Sequence, residues 1–482
     1  MFSDVLETIS RLFFIFALGF YWITTLQWFA YRYERAVLHH TKPFWNAIYF
    51  ALPLGVYYFV IFAALPAWFF WIFFYFGYSP SLFLWYRRLD KKLVFTNRVK
   101  RFFAILIATA IIFEFARNEI AAPLILTMII SQILENFLRL MFKRKARKKL
   151  AKTVMKNNLI VIAITASYGK TSLKHFLAAI LREKYNVYFT PGNVNTDLGI
   201  AADINNNLPS GAEVYIIEAG AREKNDILTI AKMCDPQYVI IGKIGKQHIE
   251  YFKTLDAIAE TKRELLLTSK LKRAIIHESA AKGDENEFVS VLKNSALNCV
   301  KSDLNGTSWE LAFGDLKFAL ETPVLGSFNA LNISLAFLMA RELKVDEASA
   351  INAIKKLQNF DHRLQPIKTP NKFILDDSYN GNLDGMIAAI ELCKSYNGRK
   401  AIVTPGLVES DDESNIILAQ KINEVFDVVF ITGALNANIL CENIDRIKRK
   451  RIFDKRDLEL ILSRETRSGD LILFANDAPS YV

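Results

Sequence analysis

Cysteine is scarce and scattered in these 482 residues: Cys234, Cys299, Cys393 and Cys441 are the only four. No two have CxxC spacing, which excludes a close-spaced thiolate zinc site and argues against a disulfide framework; free thiols in a reducing compartment are expected. The six histidines (His39, His40, His175, His248, His277 and His362) also lack metalloprotease spacing. Tryptophan nearly vanishes after residue 85, since Trp22, Trp28, Trp45, Trp68, Trp71 and Trp85 all precede that point and only Trp309 follows it. Acidic residues are few in the first 150 positions, 7 against 19 Lys+Arg, whereas the remainder holds 42 against 41. The net charge of +11 therefore belongs to one end of the chain. A nucleic-acid-binding domain would carry its basic face on the fold itself, so no nucleic-acid partner is expected. There is no internal repeat and no low-complexity segment.

From Pro43 to Tyr86 the chain has 44 residues without a charge. As one helix that run would measure about 66 Å, twice the roughly 30 Å hydrocarbon core, so two spans broken near Pro66 are expected. Leu12–Tyr31 reads as an earlier span, and Phe102–Ala116 with Ile120–Phe142 as a hairpin around Arg117-Asn118-Glu119. The clusters Arg32/Arg35/Lys42, Arg87–Arg101 and Lys143–Lys149 then share one side, which the positive-inside rule makes cytoplasmic. The expectation is an inner (cytoplasmic) membrane protein with about five spans, its N-terminus outside and everything after Lys149 in the cytoplasm. Met1–Ser10 carries Asp4 and Glu7, lacks a basic region and precedes no small-residue cleavage site, so the first span is expected to be retained. Glu114 falls inside a span; such a carboxylate is a functional candidate, with a helix-end position as the plainer reading.

Asn158–Thr165 is a continuous apolar run, the pattern of a strand buried on both faces of a parallel sheet. Ala166-Ser167-Tyr168-Gly169-Lys170-Thr171-Ser172 follows at once, and Leu173–Leu181 then has helical periodicity. Strand, tight turn with GK[ST], helix is the context of a phosphate-binding loop: backbone amides face the phosphates, Lys170 adds a point charge and Thr171 a hydroxyl for magnesium. The first glycine of the general motif is absent; Ile164 occupies its place. Val214–Ile217 reads as a second strand, ending in Glu218 at the edge where open α/β sheets bind ligands. A third, Tyr238–Ile241, leads to His248, and Leu255–Leu267, with Lys262, reads as a helix.

The blocks T-A-S-Y-G-K-T-S, T-P-G-N-V-N-T-D-L-G (Thr190–Gly199), I-E-A-G-A (Ile217–Ala221), H-I-E-Y-F (His248–Phe252) and A-E-T-K-R-E-L (Ala259–Leu265) together resemble the Mur ligases. G-S-F-N-A-L-N (Gly326–Asn332), D-H-R-L (Asp361–Leu364) and L-D-D-S-Y-N-G-N (Leu375–Asn382) continue the resemblance in family order. Within the family the chain is most similar to the branch that adds D-alanyl-D-alanine.

The resemblance implies an ATP-dependent ligase that joins D-alanyl-D-alanine to a UDP-linked muramoyl tripeptide through an acyl phosphate, in peptidoglycan precursor synthesis. It implies that Ala166–Ser172, with Lys170, Thr171 and Ser172 foremost, hold ATP; that Asn329 and Asn332 lie near the adenine; and that Arg363 and Asp377 contact the nucleotide. Two magnesium ions would be bound through Thr171, Glu218, His248 and Lys262, the last carbamylated as in sister ligases; Lys170, Glu218, His248 and Lys262 would be the catalytic set. Asn193, Asn195, Asp197, Tyr379 and Asn382 would face the substrates. Other membrane-bound cell-wall enzymes are expected partners besides the bilayer. Three departures stand out: Ala166 where the family has glycine, Phe328 where it often has histidine, and Ala475-Asn476-Asp477-Ala478 in place of a Lys-Gly-Ser-Arg segment. A fourth is larger, because membrane spans occupy the place of the usual uridine-nucleotide-binding domain.

Beyond Asn371, strand-like Phe373–Asp376, Ala401–Thr404, Val428–Ile431 and Leu471–Phe474 alternate with helical Leu383–Lys394 and Ser414–Glu424. The expected fold is α/β: transmembrane helices at 1–150, a central parallel-sheet ATP-binding domain at 151–365 and a C-terminal Rossmann-like domain at 366–482. Two rivals share parts of this pattern. A folylpolyglutamate-type ligase would keep the ATP residues but not the Thr-Pro-Gly-Asn loop, and a membrane P-loop ATPase would leave the Lys262 and Asp377 blocks without a role.

Overall fold

The computed structural model describes residues 2–29, 31–37, 44–89, 91–114, 119–246, 249–283, 286–408 and 410–477. It forms two compact units, Met1–Met141 and Phe142–Val482.

The first unit is helical. Phe2–Trp28 is one helix, 44–62 and 68–87 are runs of consecutive helical turns, Asn97–Glu114 follows, and a last helix, Ala121–Asn157, begins here. The two middle runs are separated at 63–67 around Pro66, whose ring removes an amide donor and clashes with the preceding turn. Val5–Trp28, Phe44–Phe62 and Ala121–Asn157 are long and apolar enough to cross a membrane, by length and composition. The expected turn residues Arg117 and Asn118 lie outside the described residues. The unit's interior is aromatic, with Phe14 edge-on to Phe70 at 4.8 Å. Its outer surface is also apolar, Phe62 being 92% and Phe76 83% exposed. Glu114 ends its helix paired with Arg11 and accepts a hydrogen bond from Thr8 Oγ1 at 2.8 Å, a structural tie that agrees with the helix-end reading.

The second unit holds two six-stranded sheets and a small meander. The first sheet comprises β1 (Ile160–Thr165), β2 (Val187–Phe189), β3 (Val214–Glu218), β4 (Tyr238–Ile241), β5 (Arg273–His277) and β6 (Val289–Leu292). Its order is β2-β3-β1-β4-β5-β6 and every pairing is parallel. Asn158, at φ +52°, takes the left-handed turn that ends the long helix and delivers β1 to the centre. Because β1 has β3 on one side and β4 on the other, the strand order reverses there, and the loop after β1 opens at the topological switch point. β1 and β3 are buried almost throughout, which is why their sequences run apolar without alternation.

β7 (Leu297–Asp303), β8 (Gly306–Phe313) and β9 (Leu316–Thr322) form the antiparallel meander. The second large sheet contains β10 (Gln365–Lys368), β11 (Lys372–Asp377), β12 (Lys400–Thr404), β13 (Val428–Ile431), β14 (Arg449–Arg451) and β15 (Asp470–Ala475). Its order is β10-β11-β15-β12-β13-β14, parallel except for the β10–β11 edge pair.

Candidate active site

The loop after β1 turns on Gly169, which has φ +73° and caps the helix Lys170–Leu181. A Cβ at that position would lie 2.7 Å from Asn332 Nδ2, so the glycine meets both the left-handed backbone and the close packing. Ser167 anchors the loop, its amide donating to Lys243 O at 3.0 Å and its hydroxyl to Gly245 O at 3.1 Å. Lys170 curls into the loop, donating to Ala166 O at 2.8 Å and Ser167 O at 3.0 Å. Burial lowers its pKa to about 8; Glu218 opposes that shift and Arg363 adds to it. The alanine at 166 is accommodated across the sheet, because a Cβ on Gly242 would stand 2.9 Å from Ala166 Cβ. The extra methyl on the loop is matched by a missing one at the end of β4.

Glu218, at the end of β3, is the hub of the polar groups beside this loop. Its Oε2 accepts from Thr171 Oγ1 at 3.0 Å and lies 3.0 Å from Lys174 Nζ, and its Oε1 accepts from Asn195 Nδ2 at 3.3 Å. Lys174 is fully buried and also donates to Thr190 O at 2.8 Å and Gly192 O at 2.7 Å. Sequence reasoning missed Lys174. The available signal was its position three residues after Thr171, which places both on one helical face.

Lys262 lies in the helix Leu255–Arg263, only 3% exposed, and makes no ion pair or hydrogen bond among the described residues. Burial first, then the charge of Lys170, push its ammonium well below the usual lysine pKa. His248 lies outside the described residues. Among the described residues there is no group of three or more His, Cys, Asp and Glu able to hold a metal. Thr171 and Glu218 do present adjacent hard oxygen donors, the ligand type that magnesium prefers.

Tyr168, Gly169, Ser172, Asn329, Asn332, Arg363, Asp377 and Asn382 all line one cavity of about 90 Å³. Ligand pockets usually measure about 300–1,000 Å³, so this cleft has to widen to admit a nucleotide. Asn329 and Asn332 are bonded to each other at 3.3 Å on the helix Phe328–Glu342, and Phe328 lines the same cavity. Asp377 Oδ1 accepts from Leu364 N at 3.1 Å and its Oδ2 from Asn380 Nδ2 at 2.7 Å; burial pushes its pKa up to about 7. Asn382 caps the helix Leu383–Lys394.

Asn193 is exposed, Asp197 pairs with Lys143 at 3.1 Å, and Tyr379 is 54% exposed with its ring 4.6 Å from that of His362. Of the Asn193–Asp197 loop candidates, Asn195 alone bonds to Glu218. In the C-terminal replacement segment, Asn476 donates to Gly406 O at 2.8 Å and Asp477 accepts from Thr432 and Lys455; Ala478 lies outside the described residues.

Residues 164–340 match the Mur ligase middle domain. The chain is 26% identical over 333 residues to the UDP-N-acetylmuramoyl-tripeptide--D-alanyl-D-alanine ligase of Bacillus subtilis (strain 168), covering 65% of this chain and 72% of that protein. It is 30% identical over 271 residues to the ligase of the same description from Escherichia coli (strain K12), covering 53% of this chain but only 59% of the relative. Among solved structures it superposes on MurF ligase from Thermotoga maritima in complex with ADP, with TM-score 0.60 and 25% identity over 70% of this chain and 80% of that one. MurF from Acinetobacter baumannii, at 22% identity and TM-score 0.61, shares the fold.

Proposed function

We infer, from the match of residues 164–340 to the Mur ligase middle domain and from the similarity to D-alanyl-D-alanine-adding ligases, that this chain is a Mur ligase that uses ATP to join D-alanyl-D-alanine to a UDP-N-acetylmuramoyl-tripeptide. The names of the relatives support the substrates. The observation that carries the chemistry is the contact at the sheet edge: the hydroxyl of Thr171, the residue after Lys170, sits 3.0 Å from the Glu218 carboxylate.

A carboxylate and an amine do not condense without activation. ATP converts the acceptor carboxylate into an acyl phosphate, and the dipeptide amine then displaces phosphate. The protein's part is positioning and charge neutralisation. Lys170 would turn from the Ala166 and Ser167 carbonyls to meet the phosphates. Thr171 and Glu218, with His248 and Lys262, would hold magnesium, which offsets charge on the transferred phosphoryl group. Asn329, Asn332, Arg363 and Asp377 would hold the nucleotide, and Asn195 the acceptor side.

Lys262 is proposed to act as its carbamate. Burial without a partner among the described residues favours the neutral amine, the form that adds to carbon dioxide and releases a proton; the product carries oxygen donors in place of a repelling cation.

The first unit is proposed to be a multi-pass anchor in the cytoplasmic membrane, with the catalytic part inside. The apolar outer surface and the three spanning-length helices support this reading. The division at 1–150, 151–365 and 366–482 is part of the same proposal, as is association with other membrane-bound cell-wall enzymes. The test is direct: incubate the purified full chain with ATP, magnesium, D-alanyl-D-alanine and a UDP-linked muramoyl tripeptide. Phosphate release coupled to the pentapeptide product is expected; phosphate release independent of the dipeptide would point to an ATPase instead.

A further inference from the structure

The helical unit contains a cavity of about 760 Å³, which the ligase chemistry leaves without a role. Its wall is a chain of rings: Trp28 edge-on to Trp45 at 6.3 Å, Trp45 edge-on to Trp85 at 5.6 Å, and Trp85 against Tyr49 at 5.4 Å. Ser81 and two threonines add hydroxyls, and Arg88 also lines it. Arg88 is exposed and makes no ion pair among the described residues.

The position of the cavity in the chain matters as much as its lining. Trp28 is the last residue of the helix Phe2–Trp28, Trp45 and Tyr49 lie in the first turns of the 44–62 run, and Trp85 lies in the last turn of the 68–87 run, with Arg88 as its C-cap. Under the topology proposed above, all three of these helix ends face the cytoplasm. The cavity therefore sits at the headgroup level of the inner leaflet, where amphipathic tryptophan and tyrosine rings are favoured. A ligand at that depth meets water and Arg88 at one end and hydrocarbon at the other. Guanidinium is the side chain best suited to phosphate, through paired N–H donors, and Arg87, Lys91 and Lys92 add positive charge beside it.

We propose that this cavity binds a membrane lipid with a phosphate head and a hydrocarbon chain, the phosphate held by Arg88 and the first chain segments lying against the Trp28–Trp45–Trp85 wall. The proposal rests on the membrane reading of the first unit.

The experiment uses the full chain reconstituted in nanodiscs of zwitterionic phosphatidylcholine, titrated separately with a polyprenyl phosphate, with phosphatidylglycerol and with the uncharged polyprenol. The readout is tryptophan fluorescence, informative because six of the seven tryptophans lie in the first 85 residues. Retained lipid is checked by native mass spectrometry. Saturable binding of at least one phosphate lipid is expected, and whichever binds more tightly names the lipid class. Arg88→Gln should weaken that binding by about tenfold, the scale of a hydrogen bond to a charged group, and Ser81→Trp, which fills the cavity, should abolish it. Ligation of water-soluble substrates should be unchanged in both variants. Equal binding of the polyprenol, indifference to both substitutions, or no saturable binding would overturn the proposal. Extraction of the native protein from membranes by alkaline carbonate would instead overturn the membrane reading beneath it.

Discussion

The ammonium of Lys174 lies 3.0 Å from Oε2 of Glu218, and both side chains are shut off from solvent. The same carboxylate oxygen accepts from Thr171, so one buried cation holds a carboxylate against the phosphate loop. Replacing Lys174 by methionine keeps the bulk but leaves Glu218 buried without its cation. A loss of roughly 3–5 kcal/mol in unfolding free energy is expected. Denaturant titration of the variant checks this, and a change below about 1 kcal/mol would show that Glu218 is held by other means.

Lys170→Ala should abolish ligation while the protein stays folded and membrane-bound, since the side chain bonds to its own loop and fills no apolar core. Product formation and circular dichroism on the same preparation separate the two effects. Substantial residual ligation would remove the phosphate-binding role from this loop.

The pKa of Lys170, lowered by burial to about 8, gives nucleotide affinity a pH dependence. The protonated form attracts phosphate, so affinity is complete only well below pH 8 and falls as the pH rises through that value. Between pH 8 and 9 the dissociation constant for ATP should rise several-fold, up to about tenfold per unit. Calorimetric titrations at both pH values measure it, and Lys170→Arg, which stays charged, should flatten the profile.

The catalytic part is expected in the cytoplasm. A reporter fused after Val482 that gains activity only in the periplasm would contradict both the topology and the supply of ATP.

Lys262→Ala should lose ligation and regain part of it when a short-chain carboxylic acid is added, because the acid restores oxygen donors in the vacated space. An added amine should not rescue. A variant with near-normal activity would exclude the carbamate.

The parts of this fold that were legible in the sequence are those where burial is complete. β1, β3, β4, β12 and β13 are uninterrupted apolar runs because both faces are covered. The meander was not legible: β9 alternates buried and exposed positions, and β7 carries a register shift between Asn298 and Lys301. β14 is three basic residues, Arg449–Arg451, and nothing local marks it as a strand. At the site, the glycine and lysine of the phosphate loop announce themselves through backbone demands. Lys174 does not, since a lysine on a helix reads as solvated until Glu218, 44 residues later, is folded against it. Motif resemblance reached further than local pattern for Asn332 and Asp377, which line the cleft beside Gly169, while Asn193 and Tyr379, named by the same resemblance, are exposed.

Ala166 and Gly242 divide between them the space for a single methyl group. Gly242 therefore cannot gain a methyl while residue 166 keeps its own. Glycine at 166 vacates the space and alanine at 242 can then enter it, whereas alanine at 242 entering first meets an occupied position. A route that replaces both Ala166 by glycine and Gly242 by alanine has a preferred order of steps, loop before strand, and the reverse order passes through a strained intermediate.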